Sequence, residues 1–572
     1  MSVDPTAADS TRADSTRADT TPADLLITGA RARLGEGRWA SAVAVRDGRI
    51  VALGDEESLR PLAGPQTRVV DAAGGLLVPG FQDAHVHPPF AGRNRLRLWL
   101  NDLEGRHAYL DAIAAYADAH PDEPWILGGG WAMEYFPGGT PRKEDLDAIV
   151  PDRPVFLFNR DVHGAWVNSK ALELAGITDA TADPTDGRIE RDESTGEATG
   201  TLHEGAAYRV NDEVVPEPGR EEWEAAILDA QGYLHSLGIT GWQDAWVTPG
   251  TQAAYQSLAA DGRLTARVVG ALWWDRHRGL EQIEELVRRR DAALAVNAPR
   301  ADLGSGFHPN TVKIMTDGVL ENHTGALLEP YCDGCGGHGD NLGLSYVPYE
   351  LLREAVTALD RLGFQVHLHA IGDRAVRNAL DAIEAARAAN GPSDHRHHIA
   401  HVQIIQPEDV KRFAELDVVV NCQAYWAQYE PQMDELTIPF LGEARAALQY
   451  PFADLLASGA RLAMGSDWAV TTANPLEQIE VAVTRTDPEN RDNAPFLPAQ
   501  RLRLDDALDA FTAGSAFVNH DAQGGLLAVG HRADLVLLDT DLFAPDAPPI
   551  ADARVRLTVA AGVVVHEADE LG

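Results

Sequence analysis

The chain has 572 residues, 45% hydrophobic and 24% charged, with 48 basic against 87 acidic side chains and a formal net charge of −39. Such a surface repels phosphate backbones and weighs against nucleic acid as a partner, and no apolar run reaches the ~18 residues that a membrane span needs. Cys332, Cys335 and Cys422 are too few for a disulfide framework, which fits a reducing, cytoplasmic setting.

Residues 1–23 carry two tandem copies of STRAD and no apolar core. They read as a disordered tail, not as a secretory signal. Residues 24–79 follow as short apolar strands with tight turns: DLLITGARARL, SAVAVRDGRIVALG and TRVVDAAGGLLVPG. Near the other end, ADLVLLDTD and VRLTVAAGVVVHEA have the same β-branched texture. Residues 24–79 and 515–572 are therefore expected to form one small β-sandwich from both chain ends.

Between them, residues 80–514 alternate strand-like and helix-like segments. The strands are GLLVPGFQDAHVH, GITGWQDAW, LTARVVGALWW, PNTVKIMTDG, GFQVHLHAIGD, HRHHIAHVQ, LDVVVNCQA and ARLAMGSDWAV. Eight strand–helix units predict an α/β fold, a (β/α)8 TIM barrel. About 150 residues lie between His87 and Gly238, far more than one helix needs. Residues from about 95 to 225 are read as an inserted segment after strand 1.

In such a barrel, chemistry sits at the C-terminal ends of the strands. The first strand ends in QDAHVHPP, where side chains at i and i+2 share a face, so His85 and His87 can converge on one point. Lys313 lies inside the apolar TVKIM, His367 and His369 in VHLHAIGD, His401 in IAHVQ and Asp467 in MGSDW. One such histidine is more often structural than a ligand. Imidazoles and carboxylates recurring at matching strand ends are the set that a divalent transition metal prefers.

DAHVH, VKIMTDG, HAIGD, IAHVQ and GSDW, with the closing GHRADLVLLD, resemble the amidohydrolase superfamily. DVHGAWVNSKALELAGI and HAIGDRAV resemble its amidohydrolase-3 or YtcJ-like branch, which includes N-substituted formamide deformylases. The likeness runs from residue 25 to about 540. It implies two divalent metal ions, zinc being the expectation. His85, His87 and Asp467 would hold one, and His369 and His401 the other. Lys313 would bridge them as a lysine carbamate. An apolar strand can lower a lysine's pKa, and the neutral amine can take up carbon dioxide. The alternative for Lys313 is an ion pair with Asp317. His367 lies one step deeper and reads as a supporting or core histidine. CDGCGGHGD, with Cys332, Cys335 and His338, offers three zinc donors where structural zinc usually has four, and reads as a glycine-rich loop.

The implied activity is metal-dependent hydrolysis of a C–N bond in an amide, formamide or cyclic amide, by attack of a metal-bridging hydroxide. Asp467 would be both a ligand and the catalytic proton carrier. Trp131, Asp161, His163 and Trp166 of the insertion are the expected substrate contacts. The substrate is a small molecule, and a homodimer is left open. Two alternatives stand beside this reading. The same barrel and metals could act on an ester or lactone, or the chain could be a non-catalytic regulatory protein.

Overall fold

The computed structural model describes residues 21–35, 37–295, 301–332 and 339–568. Residues 1–20 of the expected tail, and Cys335 and His338, lie outside them. Ala23 within that tail is buried, and its N–H donates to Leu62 O at 2.8 Å, so ordered chain begins before residue 24.

Eight strands form one parallel sheet: β1 (Phe81–Val86), β2 (Ile239–Val247), β3 (Arg267–Trp273), β4 (Gly306–Met315), β5 (Gln365–Ala370), β6 (His398–His401), β7 (Val419–Cys422) and β8 (Leu462–Met464). They pair in chain order, β1 with β2 through to β7 with β8. Strands covered on both faces are apolar without strict alternation, as VVGALW in β3 illustrates. Helices cover the outside. In Tyr349–Arg361, Leu352, Ala355, Val356 and Leu359 are buried at the three- and four-residue spacing of one helix face.

The ends of the sheet meet and close the barrel. Asp467 N–H donates to His85 O at 2.7 Å, and the Asn421 side-chain amide donates to Ala84 O at 2.8 Å. Gly465 permits this contact, because a Cβ there would lie 2.5 Å from His85 N. The glycine of GSDW is thus a requirement of barrel closure, and it sets Asp467 beside the end of β1.

After β1 the chain enters helix α1 (Pro88–Arg95), with His87 as the residue before its first turn. The insertion then builds a six-stranded sheet from Leu98–Trp99 to Ala198–Glu204. It has its own apolar core, which includes Tyr109, Ile113, Leu157, Trp131 and Trp166. Helix α2 (Arg220–Ser236) returns the chain to β2.

Both chain ends build the remaining layers. Leu76–Pro79, Arg31–Arg33 and Trp39–Ala40 share a sheet with Leu535–Leu538, Val555–Ala560 and Val563–Glu567. A four-stranded sheet from residues 25–71 packs on it, with Leu25, Ile27, Val43, Leu535 and Leu557 in one core. The chain leaves the barrel later than residue 515. Helix Ser515–Val518 still packs on it, and Ser515 Oγ donates to Met464 O at 2.8 Å.

Candidate metal centre

The C-terminal ends of β1, β4, β5, β6 and β8 bring His85, His87, Lys313, His369, His401 and Asp467 around one cavity. Asp467 Oδ1 lies 3.1 Å from His87 Nε2 and 3.3 Å from His85 Nε2, and its other oxygen lies 3.8 Å from His401 Nδ1. One potential ligand atom from each of His85, His87 and Asp467 falls within 4.8 Å of the others. The His369 and His401 rings are 4.5 Å apart, and the His85 and His401 rings 4.8 Å.

Neighbouring hydrogen bonds decide which nitrogen each ring offers. The Gln243 amide N–H groups donate to Gln365 Oε1 at 3.2 Å and Asn519 Oδ1 at 3.3 Å, so Gln243 Oε1 accepts. It accepts from His367 Nδ1 at 2.7 Å, which leaves His367 Nε2 to accept from His85 Nδ1 at 2.9 Å. His85 Nε2 therefore keeps its lone pair at the cavity. His369 is set in the same manner. Asp317 takes the N–H groups of Ala326, Ile371 and Gly372 at 2.8, 3.1 and 2.9 Å, and lies 3.2 Å from His369 Nδ1. A fixed carboxylate behind a histidine is the usual support of a metal ligand.

Burial holds His85 down to about 3, aided by the Lys313 charge, and holds His369 and His401 well below the usual histidine range. These are neutral imidazoles, the form that ligates. Burial pushes Asp467 up, but the histidines around it outweigh that and keep it a carboxylate. His401 Nε2 and His87 Nδ1 are buried without a hydrogen-bond partner. Unpaired buried nitrogens are unfavourable unless a ligand takes them, and the donor set of imidazole and carboxylate fits divalent metal.

Lys313 is 2% exposed, and its Nζ lies 3.4 Å from His85 Nε2. Burial pulls it down to about 7, against the Asp467 and Asp244 charges. Its alternative partner, Asp317, is occupied by backbone N–H groups and His369. His367, read from the sequence as a supporting or a core histidine, is fully buried and lies with its Nε2 2.9 Å from His85 Nδ1.

The insertion supplies one wall of the cavity. Asp161 and His163 line it. Trp131 and Trp166 do not: their indole N–H groups donate to Leu157 O and Arg142 O, both at 2.9 Å, and their rings pack inside the insertion's core. Their apolar bulk is used for folding.

Glu204 was not foreseen from the sequence. It is fully buried, and its Oε2 lies 2.8 Å from His163 Nδ1 while Oε1 accepts from Thr324 at 2.8 Å. Burial would neutralise both groups. The ion pair outweighs it, raising His163 to about 9 and holding Glu204 at about 2. Glu204, His401 and Asp467 all have positive φ, at 52, 74 and 57°. Such strain in non-glycine residues gathers where surrounding structure enforces a functional geometry. LHEG, with its acid between a strand and a helix, carries too little pattern to single out.

The cavity continues into a larger one of about 470 Å³, which His87, Phe90, Tyr208, Trp246 and Trp273 also line. These aromatic residues come from α1, the insertion and the ends of β2 and β3, so no single motif announces them.

The profile of the Amidohydrolase family matches residues 68–566. Protein LONG AFTER FAR-RED 3 of Arabidopsis thaliana is 33% identical over 519 residues, which cover 88% of this chain and 84% of that protein. N-substituted formamide deformylase of Arthrobacter pascens is 28% identical over 556 residues, covering 95% and 98%. Among solved structures, an uncharacterized metal-dependent hydrolase from Pyrococcus furiosus aligns at 26% identity with a TM-score of 0.68, over 90% of this chain and 99% of that one. Since the profile takes in the barrel, the insertion and strands from both chain ends, the chain is a member of the amidohydrolase family of hydrolases.

Proposed function

We propose that the protein hydrolyses the C–N bond of an amide or formamide that carries a large apolar N-substituent. The observation that carries this is the six-residue donor cluster opening into a cavity of about 470 Å³ that Phe90, Tyr208, Trp246 and Trp273 line on one side, and into a small recess of about 40 Å³ lined by Asp161, His163 and Gln403 among others on the other. A formyl or similarly small acyl group fits the recess, and a bulky amine substituent fits the aromatic side. The relative from Arthrobacter pascens is described as a deformylase of N-substituted formamides, which agrees with that division.

Two divalent metals, zinc by preference, would be held by His85, His87 and Asp467 and by His369 and His401, with carboxylated Lys313 between them. When bound, they supply Lewis acidity and lower the pKa of a coordinated water to ~7. Asp467 takes a proton at its carboxylate and returns it to the leaving nitrogen. His163, charged and held by Glu204, faces the recess and stabilises negative charge that develops on the carbonyl oxygen. The enclosing aromatic rings exclude bulk water.

A panel of N-formyl amines, N-acyl amino acids, cyclic imides and lactones, assayed with and without chelator alongside elemental analysis, tests the proposal. Chelator-sensitive turnover of N-formyl arylalkylamines, with metal near two per chain, is expected. Turnover of lactones alone, or none by metal-loaded protein, overturns it.

A further inference from the structure

We infer that the aromatic cavity contains a carboxylate-binding subsite built on Arg93, so that the substrate carries an anionic group remote from the scissile bond. This rests on the reading of the site as an amide hydrolase and names a further feature of its substrate.

Arg93 lies on α1, six residues after His87, and both line the same cavity. At ~1.5 Å per residue, the helix separates the two backbone positions by ~9 Å, about the length of a phenyl ring with a short linker. The guanidinium sits against two aromatic faces, with its carbon 4.9 Å from the Trp223 ring centroid and 5.9 Å from that of Phe90. A cation over an aromatic face is attracted to it while its N–H groups remain able to donate to a ligand.

The second observation is that Arg93 has no carboxylate partner. Among the described residues it makes no ion pair and no hydrogen bond, and its Nε is buried without a partner. The acid whose charge acts on it, Glu222, is paired with Arg97, whose own charge also acts on Arg93. Four carboxylates line the same cavity, and none of them pairs with Arg93. Asp212 accepts from the Asn211 amide at 2.7 Å, Asp244 from Trp246 N–H at 2.9 Å and Asp275 from His277 N–H at 2.9 Å; Glu217 is the fourth. Arg276, the other guanidinium of the cavity, is engaged by Asp186 at 2.8 Å. Burial lowers Arg93 to about 10, which leaves it charged near neutrality. A half-buried guanidinium over an aromatic face and without an ion-pair partner is suited to an incoming carboxylate, which it can bind with two parallel hydrogen bonds.

The test compares 3-phenylpropionate with its near-isosteric neutral amide, 3-phenylpropionamide, binding to the metal-loaded full-length protein. Quenching of tryptophan fluorescence reports occupancy, since Trp223, Trp246 and Trp273 line the cavity. The wild type should bind the carboxylate at least tenfold more tightly than the amide. Arg93→Gln should reduce that preference to about twofold or less, leave the amide's affinity unchanged and keep the melting temperature; Arg93→Lys should retain part of the preference. Equal affinities in the wild type, or no binding of either probe at millimolar concentration, would overturn the subsite. So would a preference that survives in Arg93→Gln, whether because the metals capture the carboxylate or because it is lost only in Arg276→Gln. Binding requires no turnover. Discrimination without amide hydrolysis would therefore sink the hydrolase reading and spare the subsite, and hydrolysis without discrimination would do the reverse.

Discussion

Two sets of histidines sit one layer apart in the same barrel. At the mouth, His87 and His401 each have a buried ring nitrogen without a partner. One layer down, His367 and His398 are engaged: Gln243 Oε1 accepts from both, at 2.7 and 3.0 Å, and Asn421 donates to His398 Nδ1 at 3.2 Å. The residue type is the same, and the hydrogen-bond account differs. Satisfied rings hold the barrel together and orient their neighbours. Unsatisfied rings are unfavourable until something binds them.

That contrast can be broken most severely at the mouth. His401→Asn, or exhaustive chelation of the wild type, should lower activity by roughly 10³-fold or more. Metal content should fall with it, while far-UV circular dichroism stays native. Full activity after complete metal removal would refute the contrast outright.

Asp467→Asn is the next largest change. The amide is nearly isosteric and can still ligate weakly, but it cannot carry the proton. A loss of ~10²–10⁴-fold in kcat is expected, with the His369/His401 metal retained. Lys313→Ala should instead lose metal, and short carboxylic acids should restore part of the activity. Near-normal kcat in Asp467→Asn would move the proton role to another group.

The lower layer should respond less. Gln243→Leu removes the acceptor that sets the His367 and His85 tautomers, so metal affinity should weaken by ~10–100-fold, as loss of such supports usually does. Titration of the apoprotein with zinc measures this. An unchanged affinity would mean that the layer below is structural only.

The smallest effect concerns the His163–Glu204 pair. His163 is raised from its usual ~6.5 to about 9, so its stabilisation is complete below ~6.5 and lost as pH rises through about 9. Glu204 is lowered to about 2, so its share is present above ~4.5 and lost only as pH falls through about 2. Glu204→Gln should therefore melt a few degrees below the wild type at pH 6, and the gap should shrink by pH 10. A gap that is constant over that range would show that the pair contributes packing and not charge.

The fold was legible because barrel strands are short, apolar and separated by helices. Their count survived uncertainty in every boundary. The six ligand candidates were legible for a related reason: a strand end projects alternate side chains to one side, so HVH and HLH declare their direction locally. Trp131 and Trp166 misled because aromatic bulk suits a pocket wall and a core equally well. Glu204 and Arg93 were missed because neither has a telling neighbour in sequence. One is made significant by His163, 41 positions away, and the other by Trp223, 130 positions away.

The sequence by itself determined the strand–helix alternation and the strand-end donors, since these follow from local periodicity. The tertiary structure alone decided which histidines keep a free lone pair, that Asp317 supports His369 and leaves Lys313 free of it, and that an unpaired guanidinium faces an aromatic cavity. The reason is physical. A hydrogen bond or an ion pair depends on separations of a few ångströms, and in a closed barrel residues hundreds of positions apart, such as His85 and Asp467, come within 3.3 Å.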